Sequence, residues 1–450
     1  DTPTLNASTL NPLWAGAGLS DGNLVATATG NSYQRAISTF AIDDGGKYAC
    51  EFQKSSGTFG LIGIMQLGNN TVTSGNSNMY GYNVGTGEVF KGNPTASVLI
   101  DLGAGAANSL MRVEYDSSAD TIKIFDDGVE IFPAATGVSN TVGLTGQNSL
   151  HFGCAPYGSG TVITATFQGL SGTPTTGFKE LASANLPTPS ITDGSAHFQP
   201  FIYASTGTST TFVQEGNSQF EPGLVWVKSR TGANNHLWFD QVRGVTKFIR
   251  SDTNNTENTV ADTLTAFNSN GFTAGADSVN WGINYPSRNN VAWQWKANGA
   301  GSSNEDGATT STVSANTTSG FSIVKWTGTG ANTTLGHGLG AAPQMILIKN
   351  LADADSWVVY HEDVGATKGL TLDTTAAATT ASTFFNNTAP TSSVFSVGSG
   401  GRSNGSSDGM IAYCFAEIPG YSSIGSFTGN GSTDGPFVYT GFTPRYILFK

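Results

Sequence analysis

The strongest constraint in this 450-residue chain is a repeat with a period near 121 residues. Lys228, which closes "FEPGLVWVK", is answered by Lys349, which closes "GAAPQMILIK", and 349 − 228 = 121. "GVTK" ending at Lys247 returns as "GATK" ending at Lys368, and "SDT" around Asp252 returns as "LDT" around Asp373, both again at 121. "VAWQW" from Val291 returns as "IAYCF" from Ile411, at 120. Anchors held at one spacing across more than a hundred residues require one structural unit written twice, because each unit must reproduce its own contacts. A third opening appears in "SFTGNGSTDGPFVYTGFTPRYILFK", whose Lys450 follows Lys349 by 101. There Tyr446, Ile447, Leu448 and Phe449 read as a strand. That strand either packs on the second unit as its last partner or begins a continuation.

Composition fixes the kind of unit. Glycine contributes 58 residues and charged residues only 12%, against about a quarter in ordinary soluble domains. Thr, Val, Ile, Phe and Tyr recur in short runs between Gly, Asn and Ser turns, which favours strands over helices. "TIKIFDDGVEIF" is the clearest case: Ile122, Ile124, Val129 and Ile131 flank Asp127-Gly128, a pair suited to the positive φ values of a tight hairpin. The length suits two to four domains of about 100–200 residues. The chain is therefore expected to be all-β, with units at 1–186, 187–300, 301–420 and an opening hairpin at 421–450.

Charge narrows the partners. The net charge of −12 comes from 32 acidic and 20 basic residues, with no basic run, so nucleic acid is not an expected partner. No run of about 18 apolar residues is present, so membrane insertion by a helix is not expected. Cys50, Cys154 and Cys414 show no CxxC spacing. A Cys50 to Cys154 bridge stays open, and buried free thiols are the commoner alternative.

Five stretches of the first third carry a resemblance. "LSDGNLVATATG", "GGKYACEFQ", "MYGYNVGTGEVFKGN", "NSLMRVEYDSSADTIKIFDDGVEIFPA" and the closing "GFKELASANLPTPSI" resemble, in this order, the SPRY domain as it occurs in structural proteins of tailed bacteriophages. The resemblance implies a concanavalin-like β-sandwich over 1–186 that binds peptide or glycan through loops at one end. The repeat in turn resembles a module that follows SPRY domains in phage tail and fibre proteins, on the phrases "GHGLGAAPQMILIKN" and "SFTGNGSTDGPFVYTGFTPRYILFK". That implies a virion appendage, extracellular, with other fibre subunits and a host surface glycan as partners and a homo-oligomer, by analogy a trimer, as its state.

Chemistry-bearing residues are sparse. Glu114 and Asp116 are the nearest approach to the paired carboxylates of a glycosidase, and no third acid follows at strand spacing. Asp43-Asp44, Asp353, Asp355 and Glu362-Asp363 fall in or beside turns, where the backbone favours Asp. His151, His197, His236, His337 and His361 form no HxH or HExxH, and no GxSxG elbow or phosphate-binding loop is present. No catalytic residue, metal or cofactor is expected. Trp293 and Trp295, two apart like Tyr413 and Phe415, share a strand face and read as core because they recur. Tyr80, Tyr82 and Asn83, in a glycine-rich polar stretch, are the expected ligand contacts, as rings on which a sugar face stacks. The expected role is a non-enzymatic structural and adhesive component of a phage fibre. A carbohydrate-binding adhesin of a bacterial surface is the alternative, and a glycan-cleaving enzyme the third.

Overall fold

The computed structural model describes residues 7–12, 15–42, 46–57, 59–66, 79–91, 98–104, 108–133, 136–142, 150–185, 189–427, 429, 431, 433, 438 and 440–450. The described chain is almost entirely strand, turn and loop, the all-β class read from the sequence. It divides into two compact units. The first comprises Asp1–Thr188 with Phe427–Gly441, the second Pro189–Ser426 with Phe442–Lys450.

The first unit holds β1 (Gly18–Ser20), β2 (Val25–Thr27), β3 (Ala36–Ile37), β4 (Lys47–Ser56), β5 (Phe59–Gln66), β6 (Met79–Asn83), β7 (Glu88–Lys91), β8 (Val98–Asp101), β9 (Leu110–Asp116), β10 (Thr121–Asp126), β11 (Val129–Phe132), β12 (Leu150–Tyr157), β13 (Val162–Thr166) and β14 (Lys179–Glu180). One sheet runs β1-β2-β13-β4-β9-β10-β11, with β14 parallel beside β4; the other runs β3-β12-β5-β6-β7-β8. Cys50, Phe52, Val113, Tyr115, Ile122 and Ile124 of the first sheet meet Ile62, Ile64, Tyr80, Tyr82, Phe152 and Cys154 of the second in one buried core. These residues alternate along their strands, so each sheet presents one face to the sandwich. The hairpin at Asp127-Gly128 forms as read, with Asp126 opposite Val129 and φ of 43° and 84° at the two turn residues. All three cysteines are free and buried. Burial pushes the Cys154 and Cys414 thiols up to about 12, which keeps them protonated and unreactive.

The second unit is the repeat made visible. Its first copy holds β15 (Phe198–Ala204), β16 (Thr210–Val213), β17 (Pro222–Ser229), β18 (Leu237–Asp240), β19 (Lys247–Arg250), β20 (Asn258–Thr259), β21 (Leu264–Asn268), β22 (Gly271–Ala274) and β23 (Asn289–Lys296). After β24 (Ser302–Asn304) and β25 (Ser311–Asn316), the second copy holds β26 (Phe321–Thr327), β27 (Thr333–Gly336), β28 (Met345–Asn350), β29 (Val358–His361), β30 (Lys368–Thr371), β31 (Thr379–Thr380), β32 (Val394–Val397) and β33 (Gly409–Phe415). The main sheet of the first copy runs β15-β23-β17-β18-β19-β20, and β26-β33-β28-β29-β30-β31 repeats that order within the second. The small sheet β16-β22-β21 is echoed by β27-β32. Register repeats too: Val225 faces Phe239 and Gln294, while Ile346 faces Tyr360 and Cys414.

Each main sheet is buried on both faces, which is why its central strands read as continuous apolar runs. Val225, Val227, Leu237 and Phe239 turn inward to the small sheet of the first copy. Ile346, Ile348, Met410 and Ala412 do the same in the second. The alternate residues of both sheets, Leu224, Trp226, Trp238 and Trp295 from one and Ile323, Leu347, Ile411 and Tyr413 from the other, form a third core between the copies. Trp238 lies at its centre, 4.8 Å from the Tyr413 ring and 5.3 Å from the Trp357 ring. Trp293 and Phe415 pack against the same core, so the recurring aromatic pairs line the seam.

The Tyr446–Phe449 strand does not form. Among the described residues it has no ladder partner, and Tyr446 alone enters the seam.

Because the copies share this core, Trp238→Ala should lower the stability of both by about 3–5 kcal/mol. Denaturant unfolding followed by tryptophan fluorescence should show one transition moved to lower midpoint, not a shift in half the signal.

Candidate functional site

The expected ligand residues are not in a loop. Tyr80, Tyr82 and Asn83 belong to β6, and the two rings are 0% and 1% exposed. The Tyr80 hydroxyl donates to the Ser139 carbonyl at 2.7 Å, and the Tyr82 hydroxyl to the Gly103 carbonyl at 3.4 Å. The glycine that suggested a loop serves strand pairing. Gly81 lies opposite Gly63, and a Cβ on it would stand 2.1 Å from the Ile62 carbonyl oxygen. With Gly81 on the opposite face, the two tyrosines at i and i+2 both point into the sandwich.

Aromatic surface reaches solvent a short distance away, at the end of the six-stranded sheet. Phe59 opens β5 and Tyr157 closes β12 directly opposite, with ring centroids 6.2 Å apart at 76°. Tyr33, from the loop before β3, lies 4.8 Å from the Tyr157 ring. All three are half-buried. Asn83 supports the patch from behind: its Nδ2 donates to the Tyr33 hydroxyl at 3.4 Å and its Oδ1 accepts the Gly85 N–H at 3.1 Å. Burial raises the Tyr33 pKa, opposed by the Asn83 hydrogen bond and helped by Tyr157 and Glu88. The loop carrying Tyr33 is fixed by the Gln34 N–H to the Pro156 carbonyl at 3.1 Å and by the Thr29 N–H to the Gln34 side chain at 2.6 Å. Such a patch offers ring faces with hydroxyl and amide groups at their edge, a combination that holds a sugar or a peptide side chain.

The acids serve the scaffold. Glu114 is fully buried; its Oε1 accepts Arg112 Nε at 3.0 Å and the Thr175 N–H at 2.8 Å, while Arg112 stacks on Phe125 at 4.2 Å. Glu51, on the neighbouring strand, accepts the Ser171 and Gly172 N–H groups at 2.7 and 2.9 Å, and Glu180 accepts those of Gly169 and Leu170 at 2.8 and 3.1 Å. Three carboxylates thus fasten one loop across the eight-stranded sheet, and β14 of "GFKELASANLPTP" carries one of them. Asp116 pairs with Lys47 and accepts the Ser118 and Ala119 N–H groups; burial opposes its charge, and these partners bring its pKa below the ordinary value. Asp43 and Asp44 lie outside the described residues.

The histidines are dispersed, each engaged locally. His337 bonds the Thr391 carbonyl through Nε2 and receives the Leu339 N–H at Nδ1, and His236 Nδ1 receives Trp226 Nε1–H at 3.0 Å. Among the described residues no group of three or more His, Cys, Asp or Glu could hold a metal ion.

In the second unit the two copies reproduce polar anchors as well as strands. Lys228 Nζ donates to the Ser229 and Gly232 carbonyls at 2.8 and 3.3 Å, and Lys349 Nζ to the Asn350 and Asp353 carbonyls at 2.6 and 3.3 Å. Burial pushes Lys349 down to about 8 despite the raising influence of Asp355, Asp373 and Asp353. Asn284 accepts the Thr206 N–H and donates to the Thr208 carbonyl; Asn404 accepts the Thr329 N–H and donates to the Ala331 carbonyl. One network has no counterpart. Asp240 and Arg243, both fully buried side chains, are ion-paired, and Tyr413 from the other copy donates to Asp240 at 2.7 Å. Burial works against the Arg243 charge, and Asp240 beside it more than compensates, so the guanidinium pKa is raised.

Residues 193–450, more than half of the chain, match the profile of a family described as a domain of unknown function, DUF7483. The chain belongs to the DUF7483 family. The DUF7483 region therefore takes in both copies and the segment to Lys450. Solved structures similar to the chain include SPRY domains. That of human HERC1 is 14% identical and covers 36% of this chain and 99% of its own, at a TM-score of 0.30. The TRIM65 PSpry domain is 12% identical, covering 36% and 93% at 0.27, and a human SPRY domain is 10% identical, covering 37% and 99% at 0.26. No curated protein matches.

The rings at Tyr33, Phe59 and Tyr157 had a sequence signal, since each stands beside Gly, Ser or Thr, in a loop or at a strand end, in "GNSYQR", "SGTFG" and "PYGSG". The Asp240–Arg243–Tyr413 network of the DUF7483 region had none, because Tyr413 is 170 residues from Arg243 and its partner position Trp293 carries no hydroxyl.

His151 gives the first unit a pH response. Its Nδ1 donates to the Ser38 carbonyl at 2.9 Å and its Nε2 is buried without a partner. Burial pushes its pKa from the ordinary 6.5 down to about 4, against the carbonyls of Ser38 and Phe40. Between those values the unfolded chain holds a proton that the folded chain lacks, so stability is intact above 6.5 and lost as pH falls toward 4, by about 3 kcal/mol in all. Unfolding midpoints measured across that window should fall for the native chain and flatten in His151→Gln.

Proposed function

We propose that the chain is a non-enzymatic structural and adhesive component of a phage virion appendage, a tail fibre or surface fibre. The SPRY-like sandwich presents the recognition surface, and the DUF7483 copies form a stiff spacer. The observation that carries this reading is the shared core between the copies. Two sandwiches joined by a short linker alone would flex, whereas sheets packed face to face through Trp226, Trp238, Leu347 and Tyr413 move together. A protein that spaces a binding surface from its anchor needs such stiffness. The half-exposed rings of Tyr33, Phe59 and Tyr157 supply the contact surface. Ring faces bind hydroxyl-rich surfaces weakly one at a time, and several copies in an assembly convert weak contacts into avidity. The partners in this reading are other fibre subunits and a host surface glycan.

Two measurements test it. Antibodies against the purified chain should decorate the appendages of virus particles in immunogold microscopy; labelling confined to a bacterial surface would favour the cell-surface adhesin instead. Immobilised on a biosensor, the chain should bind purified bacterial surface polysaccharide, and Tyr33→Ala with Tyr157→Ala should weaken that binding about tenfold or more without moving the unfolding midpoint. Equal binding by the double variant would remove the patch from the account, and new reducing ends in the polysaccharide would make the protein an enzyme.

A further inference from the structure

The two DUF7483 copies share strands and polar anchors, yet at one end of the main sheet they part in charge. In the first copy that end carries the loops 230–236, 251–257 and 277–288, which follow β17, follow β19 and precede β23. Arg230, Arg250 and Arg288 stand in or beside these loops, and their acids are Asp252, Glu257 and Asp277. Each acid is already occupied. Asp277 is fully buried and accepts the N–H groups of Trp281, Gly282, Ile283, Asn284 and Tyr285. Glu257 pairs with Arg243 and Lys247, and Asp252 accepts Asn235 Nδ2 and the His236 N–H at 3.0 and 3.1 Å. In the second copy the same positions are acidic or neutral: Asp355 for Asn234 (355 − 234 = 121), Thr371 for Arg250 (371 − 250 = 121) and Asp408 for Arg288 (408 − 288 = 120). One fold carries either set, so packing does not demand the arginines.

Among the described residues neither Arg250 nor Arg288 makes an ion pair. Arg288 lies 5.9 Å from the Tyr285 ring and donates through Nη1 to the Thr231 carbonyl at 3.2 Å, while its Nε is buried without an acceptor. Arg250 lies 5.4 Å from the Trp281 ring and donates through Nη2 to the Asn258 side chain, and its Nε is likewise without an acceptor. Trp281 Nε1 is a third such donor. The segments meet around Asn234, whose Nδ2 donates to the Asn280 carbonyl at 2.8 Å. A Cβ on Gly232 would stand 2.5 Å from Asn234 Oδ1 and 3.0 Å from Arg288 Cζ, so glycine lets this loop close beside the guanidinium. Buried donors are normally paired, and three unpaired N–H groups at one loop end call for acceptor oxygens. The second copy provides the contrast. Its Arg402 donates to the Ser356 and Trp357 carbonyls at 3.2 and 3.0 Å and to Thr371 Oγ1 at 3.0 Å. Among the described residues no side-chain donor in its equivalent loops is buried without an acceptor.

We propose that this end of the first DUF7483 copy is a second binding site, for the carboxylate of an acidic sugar in a polysaccharide. With Nη1 held by Thr231, Arg288 keeps its Nε–Nη2 edge for the ligand, and that planar pair of donors matches the two oxygens of a carboxylate. Arg250 supplies a second cation, and the half-buried rings of Tyr285 and Trp281 beside the guanidinium groups supply apolar surface for the sugar ring. The net charge of −12 makes the chain as a whole repel a polyanion, so attraction to one must be local. The site is separate from the Tyr33, Phe59 and Tyr157 patch and holds whatever particle or surface the chain belongs to.

The full chain on a biosensor, with polygalacturonate as the probe, tests the site. The native chain should bind it, and fully methyl-esterified polygalacturonate, with the same backbone and no charge, should bind about tenfold or more weakly. Arg250→Gln with Arg288→Gln should weaken binding of the acid form about tenfold or more, whereas Lys179→Gln with Lys325→Gln, which removes the same charge elsewhere, should leave it unchanged. Arg288→Lys keeps the charge and loses the fork, and should weaken binding about threefold or more. If the unfolding midpoint falls in the glutamine variant, the lysine variant carries the test. A native chain that does not bind polygalacturonate overturns the proposal, as do arginine variants that bind as the native chain does. Equal binding of the methyl ester overturns the role of charge, and equal binding of a sulfated galactan overturns the assignment to a carboxylate. Loss of polygalacturonate binding in Tyr33→Ala with Tyr157→Ala would put the ligand on the first unit and likewise overturn it, while a failure of the ring patch alone leaves this site standing.

Discussion

The DUF7483 region depends on one contact: the outer faces of two main sheets pressed together through Trp238, Trp226, Trp295, Leu347, Ile411 and Tyr413. A β-sandwich ordinarily turns one face of each sheet to water, and its strands then alternate apolar and polar residues. Here neither main sheet has a free face, so β17 and β28 are apolar at successive positions and each copy alone would expose a broad aromatic surface. Such a surface is a liability in solution. The second copy is what makes the first one's sequence tolerable.

Into this apolar seam the chain places a buried ion pair and a phenol. Asp240, Arg243 and Tyr413 satisfy one another, with the Trp238 carbonyl accepting a further Arg243 N–H at 2.7 Å. Buried ion pairs contribute little net stability relative to apolar packing, because desolvation offsets much of the attraction. They are unforgiving of misalignment, however, since a displaced partner leaves a bare charge in the interior. Because Tyr413 has Trp293 as its counterpart, the network can form in only one arrangement of the two copies. It fixes how they meet, while the aromatic packing supplies the binding.

Much of this was legible in the sequence. The period of 121 located equivalent residues because the strands β17 and β28 and their lysine anchors must satisfy the same carbonyl turns. The Asp-Gly hairpin was legible because positive φ is a local demand. What was not legible depends on neighbours distant in sequence. Gly81 looked like a loop residue, and only the approach of β5, with Gly63 opposite, shows that the glycine permits two strands to close. Glu114 was the nearest approach to a catalytic acid without being expected to act as one, and only the loop around Thr175 shows what its carboxylate holds. Tyr446–Phe449 has every local property of a strand, and a ladder needs a partner that local properties do not provide.

The two copies share one core and so should behave as one folded body. Native-state hydrogen exchange resolves this at the strands themselves, comparing the amides of Val225–Val227 with those of Ile346–Ile348 in the native chain and in Leu347→Ala, a change made in only one copy. A shared core predicts that the two strands exchange with the same opening free energy and lose protection together, by about 2–5 kcal/mol. Loss of protection at Ile346–Ile348 with Val225–Val227 unchanged would mean two independent domains and would contradict it.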